Sequence, residues 1–188
     1  MIIGLTGKNG AGKGEVAKFL QERGFTYHSL SDVLREEAAK EGSPVSRDVL
    51  VALGNRLRQE QGPGALAEKI FVRLDPEKHY VIDSVRHPIE IKVLRRRPDF
   101  ILADVEAPEK LRFERLKRRN RENDPKNYDD FLKLEKREGA SEVESDQQLN
   151  GAIAMADVKL PNEGALEELH QRVKELLLEF SKKQRRPD

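Results

Sequence analysis

The stretch Gly7-Lys8-Asn9-Gly10-Ala11-Gly12-Lys13-Gly14 constrains this chain more than any other. It follows the apolar run Ile2-Ile3-Gly4-Leu5-Thr6 and precedes a segment with helical spacing. Strand, glycine-rich turn and helix are the context a phosphate-binding loop requires. Gly7, Gly10 and Gly12 allow backbone conformations that turn successive N–H groups inward around an anion. The helix that follows aims its positive dipole end at the same point. Lys13 adds a mobile cation that can follow β- and γ-phosphates, while Asn9, Ala11 and Glu15 complete the expected nucleotide-binding set. Where most such loops carry a Ser or Thr to ligate magnesium, this one has Gly14. Magnesium is therefore expected to be held through water, by the nucleotide and by distant carboxylates.

The rest of the chain alternates strand and helix, which predicts a parallel sheet with helices on both faces. Strands are expected at Ile2–Thr6, Phe25–His28, Tyr80–Asp83, Phe100–Val105 and Asp157–Leu160. The first helix runs from about Gly14 to Arg23, with Val16, Phe19 and Leu20 facing the core and Gly24 closing it. Ser31 and Asp32 are expected to cap a second helix. A third is predicted over Val45–Gln61, with Val45, Val49, Leu53 and Leu57 on one face. Pro88 and Pro108 open two more. The charge-dense stretch from Arg118 to Asp130 reads as solvent-facing and mobile. Helices follow at about Phe131–Glu138, Asp146–Met155 and Leu166–Phe180, and the tail 181–188 is expected to fray.

Composition narrows the function classes. A formal net charge of +1 gives no global pull toward nucleic acid or membrane. The chain has no cysteine, so disulfides, thiolate zinc sites and iron–sulfur clusters are excluded. The opening apolar run is too short for a signal peptide or a bilayer span, which makes cytoplasm the expected compartment. The four histidines are scattered without metal-ligand spacing. The expected partner is a small-molecule nucleotide acceptor, and the chain is expected to be a monomer or homodimer.

A phosphate loop alone does not separate a kinase from a GTPase or a motor ATPase. Charges at the carboxyl ends of the strands discriminate, because ligands of parallel sheets sit there. After the second strand, Ser31 and Asp32 precede Arg35, whose guanidinium can fork onto a second substrate's phosphate. Asp83 ends the third strand, where a carboxylate orients waters around magnesium, and Arg86 follows in the same cleft. Arg112, Arg115, Lys117, Arg118, Arg119 and Arg121 form a basic run opposed only by Glu114, with Arg115 and Arg119 on one helix face. Phosphoryl transfer needs in-line positioning and several cations over the moving group. Six cations within ten residues can instead form a solvated helix face or a nucleic-acid patch, and the absence of interleaved aromatics counts against single-strand binding. Asn162-Glu163-Gly164 follows the last strand, where a loop can close over a base.

Together these residues resemble the nucleoside monophosphate kinase family. Gly12-Lys13-Gly14 matches the usual end of that family's loop. Asp32-Val33-Leu34-Arg35 matches its Asp-x-Leu-Arg, and Arg115 with Arg119 matches the arginine pair that opens its lid. Asp83 and Arg86 resemble its Asp…Arg pair with spacing one residue shorter, and Arg137 corresponds to a later lid arginine. The stretch Ala156–Gly164 is similar to the carboxyl end of dephospho-coenzyme A kinases and to a kinase-like domain fused to some deoxycytidylate deaminases. The resemblance implies a three-layer P-loop fold with a five-stranded parallel sheet. Its core would be residues 1–28, 72–114 and 138–180, its acceptor-binding segment 29–71 and its short lid 115–137. It implies ATP and magnesium as cofactors and a (deoxy)nucleoside monophosphate as acceptor. Lys13, Asp83, Arg86, Arg115 and Arg119 would act in catalysis, and Ser31, Asp32, Arg35, Arg86 and Arg137 in acceptor binding. Two alternatives stay open: dephospho-coenzyme A as acceptor, with Asp83 as general base, and a nucleotide sensor that transfers nothing.

Overall fold

The computed structural model describes residues 1–119, 124–139 and 148–184. Strand β1 (Ile2–Thr6) is buried throughout and runs through the loop into α1 (Lys13–Gln21). Then come β2 (Thr26–Ser29), α2 (Leu30–Lys40), α3 (Arg47–Gln61) and α4 (Ala65–Phe71). β3 (Tyr80–Asp83), α5 (Pro88–Leu94), β4 (Phe100–Glu106) and α6 (Glu109–Arg119) follow. The last elements are α7 (Tyr128–Gly139), α8 (Leu149–Ala154), β5 (Val158–Pro161) and α9 (Leu166–Gln184).

The strands form one parallel sheet in the order β2-β3-β1-β4-β5, with the loop strand at the centre as expected. Side chains alternate across a strand, so β1 feeds two cores. Ile2 joins the residues of α2 to α5 and Ala152 of α8, whereas Ile3 and Leu5 join α1 and Leu169, Val173 and Leu176 of α9. With both faces covered, the strands read as apolar runs rather than alternations. Burying each large aliphatic side chain contributes about 1.5–3 kcal/mol. The helix that follows the loop and the helices of segment 29–71 therefore lie on opposite faces, and both reach the carboxyl edge of the sheet.

Several local expectations need correction. The cap of α2 is Ser29, whose hydroxyl accepts from Ser31 N at 3.1 Å, so Ser31 and Asp32 lie in the first turn instead. Ser46 caps α3 by accepting from Val49 N at 3.3 Å, which leaves Val45 outside the helix and exposed. Its core face is carried by Leu53 and Leu57. Helix α4 has no counterpart in the sequence pattern; Gly62 and Gly64 end one helix and permit the next within three residues. The stretch read as solvent-facing includes Asp124, which is buried because Arg119 pairs with it, and α7 begins at Tyr128 rather than Phe131. Helix α9 continues through Gln184 into the expected tail, and residues 185–188 lie outside the described residues.

Candidate active site

The loop adopts the conformation its glycines permit. Gly7, Gly10 and Gly12 have φ of +122°, +76° and +111°. A Cβ on Gly7 would stand 2.3 Å from Val105 O, and one on Gly10 2.6 Å from Arg112 O. Glycine is thus demanded twice over, by backbone conformation and by the packing of β4 and α6 against the loop. Gly14 has nothing within 4 Å of an added Cβ, and Glu15 beside it is exposed in the first turn of α1. The Lys13 ammonium folds back over the start of the loop, donating to Gly7 O at 2.5 Å and Lys8 O at 3.0 Å.

Two carboxylates flank the end of β1. Asp83 terminates β3, where its Oδ1 accepts from Ser84 N at 2.6 Å and its Oδ2 from the Tyr27 hydroxyl at 3.4 Å. Ser84 has φ +66°, a left-handed conformation that a side-chain-bearing residue adopts only at a cost of about 1–3 kcal/mol. Burial, and then the Asp83 charge, push the Tyr27 phenol up to about 12. On the other side Asp104 is paired in register with Thr6 and is 2% exposed. Its Oδ1 and Thr6 Oγ1 are both buried without a hydrogen-bond partner. Burial and then the Glu106 charge raise the Asp104 carboxyl above the usual range, opposed by Lys159 and Lys13. The left-handed glycine cradle, Lys13 and the two carboxylates fit a nucleoside triphosphate and its hydrated magnesium, the cradle for phosphates and the carboxylates for water ligands.

The predicted cations divide. Arg115 packs on the loop itself: Nη1 donates to Gly10 O at 3.5 Å and Ala11 O at 3.3 Å, and Nη2 to Asn162 O at 3.1 Å and Oδ1 at 3.2 Å. Burial, and then Arg118, draw its guanidinium below the ordinary value. Asn162 is buried and returns Nδ2 to Ala11 O at 2.7 Å, so the loop after β5 closes on the phosphate loop rather than forming a bare turn. Arg119 forks onto Asp124 at 2.9 and 2.5 Å. Arg35 pairs with Asp32 at 2.5 Å on a half-exposed helix face, so these two expected acceptor ligands engage each other. The Arg86 amide donates to Glu90 Oε2 at 2.9 Å. The neighbouring His87 is a buried cap, its Nδ1 accepting from Ile89 N at 3.1 Å. Arg121 lies outside the described residues, as does the side chain of Arg137 in the last turn of α7.

Other site residues carry little sequence signal. Arg112 belongs to the basic run yet is buried, forking onto Glu135 of α7, with Nη2 to Oε2 at 2.9 Å and Nε to Ala107 O at 3.0 Å. Lys8 reaches the same carboxylate at 3.1 Å, so Glu135 ties α7 directly to the loop. Only Asp104 had a readable sign, a charge inside the otherwise apolar run Phe100–Val105.

A central loop strand, a left-handed glycine cradle with its lysine, and flanking carboxylates define a P-loop protein with the kinase type of sheet. A model of the AAA domain family matches residues 6–131. A UPF0200 protein of Thermococcus gammatolerans is 38% identical over 184 residues, covering 94% of each chain. The chain belongs to the AAA domain family and, along nearly its whole length, to the UPF0200 family. Among solved structures it resembles TT1252 from Thermus thermophilus, with TM-score 0.60, 23% identity and coverage of 95% and 97% of the two chains. It also resembles shikimate kinase from Aquifex aeolicus, with TM-score 0.53, 15% identity and coverage of 97% and 98%. At these identities the two structures attest to the fold alone. Among the described residues no helix is long and apolar enough to cross a membrane.

Proposed function

We propose that the chain is an ATP-dependent phosphotransferase that moves the γ-phosphoryl group to a (deoxy)nucleoside monophosphate. The observation that supports this reading is the docking of α6 on the loop: Arg115 is held against Gly10 O and Ala11 O, which sets the basic helix beside the phosphate loop.

In this reading the loop amides and Lys13 bind the donor phosphates, and Lys13 exchanges its carbonyl partners for phosphate oxygens. Asp83 would hold the water ligands of a magnesium ion, which would supply charge neutralisation to the donor phosphates. Arg35 leaves Asp32 to meet the acceptor phosphate together with Arg86. Segment 115–137 is the lid, and its closure excludes water, which suppresses hydrolysis. Segment 29–71 is the acceptor-binding part.

The test is a coupled assay for ADP release over a panel of nucleoside monophosphates and dephospho-coenzyme A. Lys13→Ala and Arg119→Ala should each keep the fold and lose about 100-fold or more in transfer. Tight ATP binding with no ADP from any acceptor would replace the kinase reading with a sensor. Turnover with dephospho-coenzyme A alone would move the acceptor to a ribose hydroxyl.

A further inference from the structure

Glu90 lies in the first turn of α5, and one of its oxygens does what a capping box requires: Oε2 accepts the amide of the cap residue His87 at 3.0 Å. The same oxygen also accepts the Arg86 amide at 2.9 Å, one residue before the cap. The carboxylate is 0% exposed, and its other oxygen, Oε1, takes Nε at 3.3 Å and Nη2 at 2.9 Å from Arg58 of α3, which is 3% exposed. The Arg58 guanidinium runs back beside Gly54, where an added Cβ would stand 3.1 Å from Nη1 and 3.3 Å from Leu34 Cδ1, so glycine supplies its room.

A capping box is complete without a cation. Two buried charges are a poor choice for stability beside an apolar pair of similar volume, and Arg58 Nη1 is left without a hydrogen-bond partner. What the pair delivers is geometry. Four N–H donors converge on one carboxylate, two from the backbone of Arg86 and His87 and two from α3. The preceding residue, Val85, donates its amide to Leu5 O of β1 at 3.2 Å, beside the start of the phosphate loop. The backbone that bears Arg86 is thus fastened to the loop strand at one end and to Glu90 at the other.

We propose that Glu90 is a positioning residue for the acceptor phosphate: it fixes the Arg86 backbone, and Arg58 keeps its carboxylate in place by neutralising it. Neither side chain touches the acceptor; both act through Arg86. The inference rests on the monophosphate reading above, to which it adds the residues that set the acceptor cation.

The experiment compares two double variants, Arg58→Met/Glu90→Gln and Arg58→Met/Glu90→Leu. Both replace the buried ion pair with uncharged side chains of similar volume, a change buried pairs commonly tolerate. Glutamine keeps an oxygen for the Arg86 and His87 amides, whereas leucine leaves them without an acceptor, so the turn must shift to satisfy them. Whole-chain proteins are titrated calorimetrically with AMP, CMP, GMP and UMP, with ATP as the control, and amide exchange is followed by NMR. The glutamine variant should bind the wild type's preferred monophosphate within about three-fold of wild type, and the leucine variant about ten-fold more weakly, or about 1.4 kcal/mol. Exchange at Arg86 and His87 should quicken only in the leucine variant, and ATP affinity should hold in both. In an Arg86→Ala background the two double variants should bind monophosphate alike, because the effect runs through that side chain.

Equal monophosphate affinity of the two double variants with Arg86 intact would overturn the role. So would a matching fall in ATP affinity, which would make Glu90 a general prop of the fold, or a difference that survives Arg86→Ala. Wild-type binding of ATP but of no monophosphate would instead remove the acceptor reading itself, and this role with it.

Discussion

Replacing Glu135 with alanine isolates what holds α7 to the loop. Arg112 is 3% exposed and forks onto this carboxylate, which also takes Lys8 at 3.1 Å. Removing one partner of a buried pair costs about 3–5 kcal/mol, because the other charge stays buried without compensation. Arg112 keeps Ala107 O at 3.0 Å, Asn9 O at 3.4 Å and the Phe131 ring, so the low end, about 3 kcal/mol, is expected. For a chain of this size that lowers Tm by about 6–12 °C. Arg112→Met combined with Glu135→Met removes both charges and restores apolar packing on Phe131. The pair should return to within about 1 kcal/mol of wild type, a coupling of 2 kcal/mol or more in the double-mutant cycle. Urea denaturation of the wild type, Arg112→Met, Glu135→Met and the double variant closes the cycle, with Glu135→Met expected to cost about 3 kcal/mol as Glu135→Ala does. Additive losses, or a cost for Glu135→Ala below about 1 kcal/mol, would refute the idea that this carboxylate neutralises a buried cation.

Gly12→Ala places a methyl 2.1 Å from Asn162 Nδ2 at φ +111°, so thermal melting should show a loss of about 2–3 kcal/mol and ATP affinity should fall; Gly14→Ala, in open space, should do neither. Tyr27 predicts an alkaline loss of stability. Its phenol is pushed up to about 12 in the fold against about 10 unfolded, so the folded state keeps the proton longer. The contribution is complete below pH 10 and disappears as pH rises toward 12, and Tyr27→Phe should flatten the denaturation profile in that window.

What the sequence determined by itself is the set of features fixed by near neighbours along the chain. The loop with its three left-handed glycines follows from residues within one turn of one another. So do β1, β3 and the core face of α1, where Val16, Phe19 and Leu20 are buried as their spacing requires. Apolar runs alternating with helical periods were enough to predict the parallel sheet. Pairings across the chain were not legible. Arg112 reads as one cation of a solvated run until Glu135 packs beneath it from another helix. Asp32 and Arg35 fit an acceptor motif, yet in the fold each finds the other first. Arg58 and Glu90 look like ordinary surface charges, but both are buried because α3 and α5 meet over one core. Burial decides what a charge does, by removing water and leaving only the nearest partners, and burial is settled only when distant elements pack.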